Sequence, residues 1–318
     1  MYFKALPNGT TDMKTKPRSF VPITLAFAIV FLTSGVSGFG AADKLDTAKI
    51  ERLTGLKGAF NEQENVFKVS APRADVKVAV DEWVMPPFMG LTSWAAFTPG
   101  KNADAMVMGD LVLFQDEVNP VMSVALDSGL EVTALHNHFF FDEPKVYFMH
   151  IGGEGTAEKL ATGVKLALAK QKEIRTANPT PRRNFGGGLP AASSINAAPL
   201  EAIFGAKAQT KDGMAKFVIG REATMACGCK VGKEMGVNTW AAFAGTDENA
   251  VVDGDFAVFA DELQPALRSL RKSGVNIVAI HHHMTQENPR IFFLHYWAQG
   301  RAADLARSLK AALDTQTR

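Results

Sequence analysis

The chain has 318 residues, with 34 Lys and Arg against 33 Asp and Glu and only two cysteines. A near-neutral balance without a Lys/Arg run argues against a nucleic-acid partner, and two thiols exclude a disulfide-held scaffold. Apolar residues make up 47% of the chain, enough for two ordinary hydrophobic cores.

At the N-terminus, Lys14, Lys16 and Arg18 precede an apolar run from Phe20 to Leu32, and small residues follow up to Gly40-Ala41-Ala42. This is the three-part layout of a secretory signal peptide over residues 1–42, with cleavage expected before Asp43. The run is short for a membrane span and no basic anchor follows it, so no transmembrane segment is expected in the mature chain. No cysteine stands at the end of the run, among residues 33–44, to accept a lipid. The expected address is the periplasm or the exterior.

The elements after the leader occur in two rounds. Asp46 and Asn196 each cap a short amphipathic helix that stops at Gly55 and Gly205. Phe67–Ser70 and Phe217–Ile219 read as strands, as do Trp94–Phe97 and Trp240–Phe243. Ala105–Phe114 and Ala250–Phe259 are β-rich and lead into helices. In the second round the helix places Leu263, Ala266, Leu267 and Leu270 on one face, with Asp261 and Gln264 as its capping pair and Gly274 as its stop. Val275–His283 and Arg290–Trp297 are then two strands joined by the polar turn Thr285–Pro289. The closing helices span Ala157–Leu168 and Ala302–Leu313.

The two rounds are one pattern written twice. Gly109-Asp110, Asp116-Glu117, Pro120, Gly129, Pro144, Phe148 and Gly155 each recur 145 residues later. Trp94-Ala95-Ala96-Phe97 recurs at Trp240–Phe243, and Lys68 and Arg73 at Lys216 and Arg221, with small drifts that fit loop insertions. A unit of this size is a domain rather than a solenoid repeat. The reading is α+β: two tandem homologous α/β-sandwich domains, 43–172 and 200–318. Each has a strand-helix-strand-strand-helix core plus N-terminal strands. Between them, 173–199 is a linker rich in Pro, Gly, Ala and Asn.

These stretches resemble a known family. Trp94–Phe97, Ala105-Met-Val-Met-Gly-Asp110, Asp116-Glu-Val-Asn-Pro120 and Glu131-Val-Thr-Ala-Leu-His-Asn-His138 are similar to the LppY/LpqO-type domain. So are Asn238–Phe243, Val252-Asp-Gly-Asp255, Ile280–Met284 and Pro289–His295. The resemblance covers nearly all of the chain beyond the leader. It implies bacterial export and a duplicated domain of unknown function, and it supplies no catalytic residues. Its members named from mycobacteria are predicted lipoproteins, whereas this chain lacks the lipid-accepting cysteine of those members.

The histidines therefore have to be argued from their chemistry. Six of the seven fall in two matched sets, His136, His138, His150 and His281, His283, His295. His136 and His138, two apart on a strand, point to one face; His150 joins them if its strand pairs even positions with even. Three convergent imidazoles suit a divalent metal such as Zn, Cu or Fe. Asp142, Glu143 and Glu287 are candidates for a fourth ligand or an acid/base group. Asp110 and Asp255 could orient a ligand from behind, with a turn or bulge as the plainer reading.

Other repeated residues have plain readings: helix capping for Asp116-Glu117 and Asp261-Glu262, core anchors for Trp94 and Trp240, surface positions for Arg73 and Arg221. Cys227-Gly228-Cys229 has no counterpart in the first round and reads as a reducible disulfide, a soft metal site with Met225 or Met235, or two free thiols. No nucleophile elbow, phosphate loop or dinucleotide fingerprint is present. Two function classes follow. One is a metal-binding protein, enzymatic or not. The other is a non-catalytic module, binding a small ligand or an envelope component, whose histidines are structural.

Overall fold

The computed structural model describes residues 45–186, 188 and 191–316. The leader expected at 1–42 lies outside them. The first repeat runs α1 (Thr47–Thr54), β1 (Gly58–Asn61), β2 (Val66–Pro72), β3 (Ala79–Val80), β4 (Trp83–Val84), β5 (Thr92–Pro99), β6 (Ala105–Phe114), α2 (Gln115–Asp127), β7 (Glu131–His136), β8 (Asp142–Glu143), β9 (Val146–Gly155) and α3 (Ala157–Ala177). The second runs α4 (Ala197–Phe204), β10 (Gln209–Lys211), β11 (Met214–Gly220), β12 (Ala223–Thr224), β13 (Lys230–Val231), β14 (Asn238–Gly245), β15 (Ala250–Phe259), α5 (Leu263–Lys272), β16 (Asn276–His281), β17 (Ile291–Gly300) and α6 (Ala302–Leu313). The fold is α+β, as its alternation pattern requires.

Both repeats share one twelve-stranded sheet, ordered β1-β2-β5-β6-β9-β7-β16-β17-β15-β14-β11-β10. Alternate strand residues such as Phe97, Val107, Leu111, Ile151, Phe243, Val252 and Leu294 turn to one face. There they meet the buried stripes of α1 to α6, among them Ile50, Val121, Leu160, Leu200, Leu267 and Leu309. The opposite face is covered in part by two small sheets, β4-β3-β8 and β12-β13. Under them lie Val78, Leu91, Val112, Phe114 and Phe148 in the first repeat, and Ala223, Val237, Ala257 and Phe293 in the second.

The repeats meet at β7 and β16, which pair antiparallel through Leu135 and Ile280. These residues are equivalents 145 apart, so a pseudo-two-fold axis passes between them. Both strands carry a register shift, between Val132 and Ala134 and between Ile277 and Ala279. Beyond the short pairing, each strand would present a free N–H and C=O to a gap. Side-chain amides fill it. Asn119 Oδ1 accepts from Ile277 N at 2.8 Å and its Nδ2 donates to Ile277 O at 3.1 Å. At the equivalent position, Gln264 Oε1 accepts from Val132 N at 3.1 Å and its Nε2 donates to Val132 O at 2.9 Å.

Several local expectations are corrected. Arg73 and Arg221 are buried, not superficial. Arg73 Nη1 lies 2.6 Å from Glu117, whose side chain also takes the Phe114 N–H at 2.9 Å; Arg221 lies 2.9 Å from Glu262. Glu117 and Glu262 thus combine helix capping with a buried ion pair. The capping pair read at Asp261 and Gln264 is displaced. Glu262 occupies the N-cap position and takes the Phe259 N–H, while Gln264 crosses the seam. Helix α3 continues past Leu168 to Ala177, because Gln171 and Arg175 hold its last turns by buried polar contacts, to Val112 O and to Asp116 and Glu117. Trp94 and Trp240 are half-buried on the face away from the helices, with Lys68 and Lys216 Nζ at 4.3 and 4.4 Å from their rings.

Replacing Asn119 with Ala strands the N–H and C=O of Ile277, and Gln264→Ala does the same at Val132. Each variant should lose about 1–3 kcal/mol in urea unfolding, the cost of an unsatisfied buried polar group. Equivalent losses at the two positions are expected from the symmetry of the clamps.

Candidate functional site

The sheet registers bring the duplicated residues together. His150 pairs with Asp110 on one side and Ala134 on the other; His295 pairs with Asp255 and Ala279. Asp110 and Asp255 therefore sit in mid-strand, buried beside the histidine strands, and not at a turn or bulge. All lie on the face away from the helices. The Leu135–Ile280 pairing aligns His150, Ala134 and His281 in one row and His136, Ala279 and His295 in the next. The two sets thus share one face, with His136 and His281 on neighbouring strands and His150 and His281 two strand spacings, about 10 Å of backbone, apart.

In the second set, Asp255, His281 and His295 each offer a ligand atom within 4.8 Å of the others. His281 and His295 stack with ring centroids 4.6 Å apart. His283 packs flat on Phe293 at 3.5 Å and places Nε2 3.2 Å from Asp255 Oδ2; His281 Nε2 lies 3.9 Å from the same oxygen. Backbone carbonyls fix two of the rings from behind. His283 Nδ1 faces Gly236 O at 3.2 Å and His295 Nδ1 faces Gly254 O at 3.3 Å. A carbonyl only accepts, so each Nδ1 carries its proton there, and in the neutral ring Nε2 is left as a lone pair. His283 Nε2 and Asp255 Oδ2 then face each other as two acceptors at hydrogen-bond distance. A proton or a cation has to stand between them. Asp255 Oδ1 and His281 Nδ1 are also buried without a hydrogen-bond partner. Burial lowers the His281 pKa, with Asp255 opposing and the neighbouring histidines adding to the fall, which keeps its ring neutral and able to ligate.

The first set repeats the theme with a different closure. His136 and His150 bring their Nε2 atoms to 3.1 Å, while His136 Nδ1 faces Asn137 O at 3.3 Å. His138 stacks on Phe148, and burial followed by repulsion from His136 lowers its pKa. Asp110 Oδ1 is buried and without a partner, like its counterpart.

The acids of the adjoining turns are directed elsewhere. Asp142 accepts from Val146 N at 2.7 Å and Lys145 Nζ at 2.9 Å, and Glu287 accepts from Ile291 N at 3.1 Å. Equivalent by position, both clamp the turn that leads into the last strand of their repeat. Glu143 is exposed and pairs with Arg183 at 2.8 Å. None of these contacts is to an imidazole, and Glu287 Oε2 is buried without a hydrogen-bond partner. Cys227 and Cys229 are free and exposed. His282 turns away from the set and packs against Phe292 at 4.6 Å. The carbonyls of Gly236 and Gly254 carry no side-chain signature and were not foreseeable as ring holders. A cavity of 810 Å³ lies elsewhere, between Asn119, Tyr147, Arg182, Phe185, Val278 and Trp297, with no imidazole in its wall.

Comparison with known proteins adds a family to this geometry. The model described as Domain of Unknown Function (DUF1259) matches residues 48–170 and again 198–315. The chain belongs to the DUF1259 family. Its duplication is thereby shown as two successive copies of the family domain. No curated protein matches this DUF1259 chain. Among solved structures, a trimeric bacterial microcompartment shell protein, PduB, is 11% identical over 81% of this chain and 89% of its own, with a TM-score of 0.21. The fused permuted hexameric shell protein MSM0275 from the RMM microcompartment is 15% identical over 67% of this chain and 80% of its own, with a TM-score of 0.16. Likenesses this low carry no argument about fold or function. Among the described residues no helix is long and apolar enough to cross a membrane.

The glycine before each aspartate is required by space. A Cβ on Gly254 would stand 2.1 Å from Tyr296 Oη and 2.2 Å from Trp240 O, because the Tyr296 ring crosses above it to donate to that carbonyl at 2.9 Å. Gly254→Ala should therefore destabilise the protein by at least about 1–3 kcal/mol and lower its melting temperature. Alanine at Gly155, whose Cβ would meet nothing within 4 Å and whose backbone is not left-handed, is a space control.

Proposed function

We propose that this DUF1259 chain is an exported protein of the LppY/LpqO type that binds a divalent cation through its duplicated Asp and His sets. The observation that carries the reading is the 3.2 Å approach of His283 Nε2 to Asp255 Oδ2 while His283 Nδ1 is committed to Gly236 O. Two facing acceptors, an orphaned carboxylate oxygen and a neighbouring pair of stacked imidazoles make a donor set for a cation. Nitrogen and oxygen donors of this kind suit Zn²⁺, Cu²⁺ or Fe²⁺. Asp255, His281, His283 and His295 would hold the ion, with Asp110, His136, His138 and His150 as the second set. A bound ion would act as a Lewis acid and lower the pKa of a water in an open position.

A second reading has its own support. His138 and His283 lie flat on Phe148 and Phe293, a packing role that needs no ion. In that case the protein is a binding or envelope module with structural histidines.

Metal analysis of the untagged protein after native purification separates the two. Stoichiometric Zn, Cu or Fe is expected. Calorimetric titration with Zn²⁺ should show the joint variant His281→Ala, His295→Ala binding at least about 10-fold more weakly at one site, the scale on which even outer contacts of a metal centre act. A wild-type protein that carries no metal and takes up none of the three ions would leave the packing reading. Export has a separate check: the mass of the protein recovered from outside the cytoplasm should correspond to a chain beginning at Asp43, and a full-length mass there would refute cleavage.

A further inference from the structure

The Cys227-Gly228-Cys229 segment is not used by the histidine sets. It forms the turn between β12 and β13, closed by Met225 N to Cys229 O at 2.9 Å and Gly228 N to Met225 O at 2.8 Å. Gly228 has φ +79°, the left-handed conformation such a turn demands. The base of the hairpin is fixed. Ala223 and Val231 are buried, and Thr224 exchanges two 2.9 Å backbone hydrogen bonds with Asn288. The tip is open, with both cysteines exposed and neither bridged.

The two sulfurs are not equivalent. Cys227 Sγ accepts from the Cys229 backbone N–H at 3.4 Å and also from the Cys229 thiol. Two donors on one sulfur favour its thiolate. The hydrogen bond from Cys229 holds the Cys227 thiol below its ordinary range, and the same bond raises Cys229. One sulfur is thus set up as a nucleophile and its neighbour as a reserve of the second thiol, already in contact with it.

We propose that Cys227 and Cys229 form a thiol–disulfide exchange site whose substrate is an accessible disulfide on another molecule. The Cys227 thiolate attacks one sulfur of the substrate disulfide, forming a mixed disulfide and releasing one substrate thiolate. Cys229 gives its proton to that thiolate or to solvent and attacks Cys227 Sγ. The mixed disulfide breaks, the second substrate thiolate leaves and the Cys227–Cys229 bond forms. Two electrons pass from the dithiol to the substrate, which is reduced to two thiols. A bridge between residues two apart closes a small strained ring and is easily reduced, so the step also runs in reverse and the oxidised site donates its bond to a dithiol.

The test uses the full chain and glutathione disulfide as substrate. The reduced protein should lose two mass units without gaining glutathione. Cys229→Ser, lacking the second sulfur, should accumulate one glutathione on Cys227. At neutral pH, Cys229→Ser should react with 5,5′-dithiobis(2-nitrobenzoate) about 10-fold faster than Cys227→Ser. Equal or reversed rates, or glutathione remaining on both cysteines of the wild type without ring closure, would overturn the proposal. So would a metal ion retained on the wild-type thiols and lost from both serine variants. The exposed turn tolerates serine sterically, so a folded protein is available for each arm.

Discussion

A β-sheet that ends in a free strand must do something with the unpaired N–H and C=O groups of that edge. Each repeat here would end at β7 or β16, and the duplication answers the problem by placing one against the other. The pairing through Leu135 and Ile280 is short. What extends it is a pair of carboxamides, Asn119 and Gln264, that stand where a longer strand would have stood. The continuity of the sheet, the shared helix-side core and the placing of both histidine sets on one face all depend on this seam. Arg268 reinforces it from α5 by donating to Leu126 O and Leu130 O of the other repeat.

The site is built on the rigid middle of that sheet. Asp110 and Asp255 are buried carboxylates, each with an oxygen that finds no donor. Leaving a charged oxygen unsatisfied is costly, and proteins rarely retain it without a counter-charge. The ion pairs of Arg73 with Glu117 and Arg221 with Glu262 show how the same fold treats a carboxylate with a structural duty: it is met by a guanidinium and a backbone N–H. Asp255 faces the imidazoles of His281 and His283 instead of a guanidinium, although an orphaned oxygen is also found on Asp116 and Glu287.

Much of this was legible in the chain. The 145-residue spacing of Gly109-Asp110, His136 and His150 with Gly254-Asp255, His281 and His295 survives because these residues lie in paired strands, where an insertion would shift every side chain to the other face. The alternation of His136 and His138 gave their common direction, and the Asp46 and Asn196 caps and Gly55 and Gly205 stops marked α1 and α4. What stayed hidden has a common cause: it depends on partners far away in sequence. Arg73 looks like a surface residue until Glu117 is beside it. Gln264 looks like part of a helix cap until Val132 arrives from the other repeat. The last turns of α3 lack an apolar stripe because Gln171 and Arg175 are buried as hydrogen-bonding groups, and Asp142 and Glu287 look like ligands until the turn they clamp is seen.

The pseudo-two-fold places the two histidine sets on one open face, with His150 and His281 two strand spacings, about 10 Å of backbone, apart. At that separation two divalent charges repel by about 2 kcal/mol even in a water-like dielectric. Occupancy of one set would therefore oppose occupancy of the other. If both sets take a divalent ion as proposed, their duplication on a single sheet brings with it negative cooperativity, which two copies in separate domains would avoid.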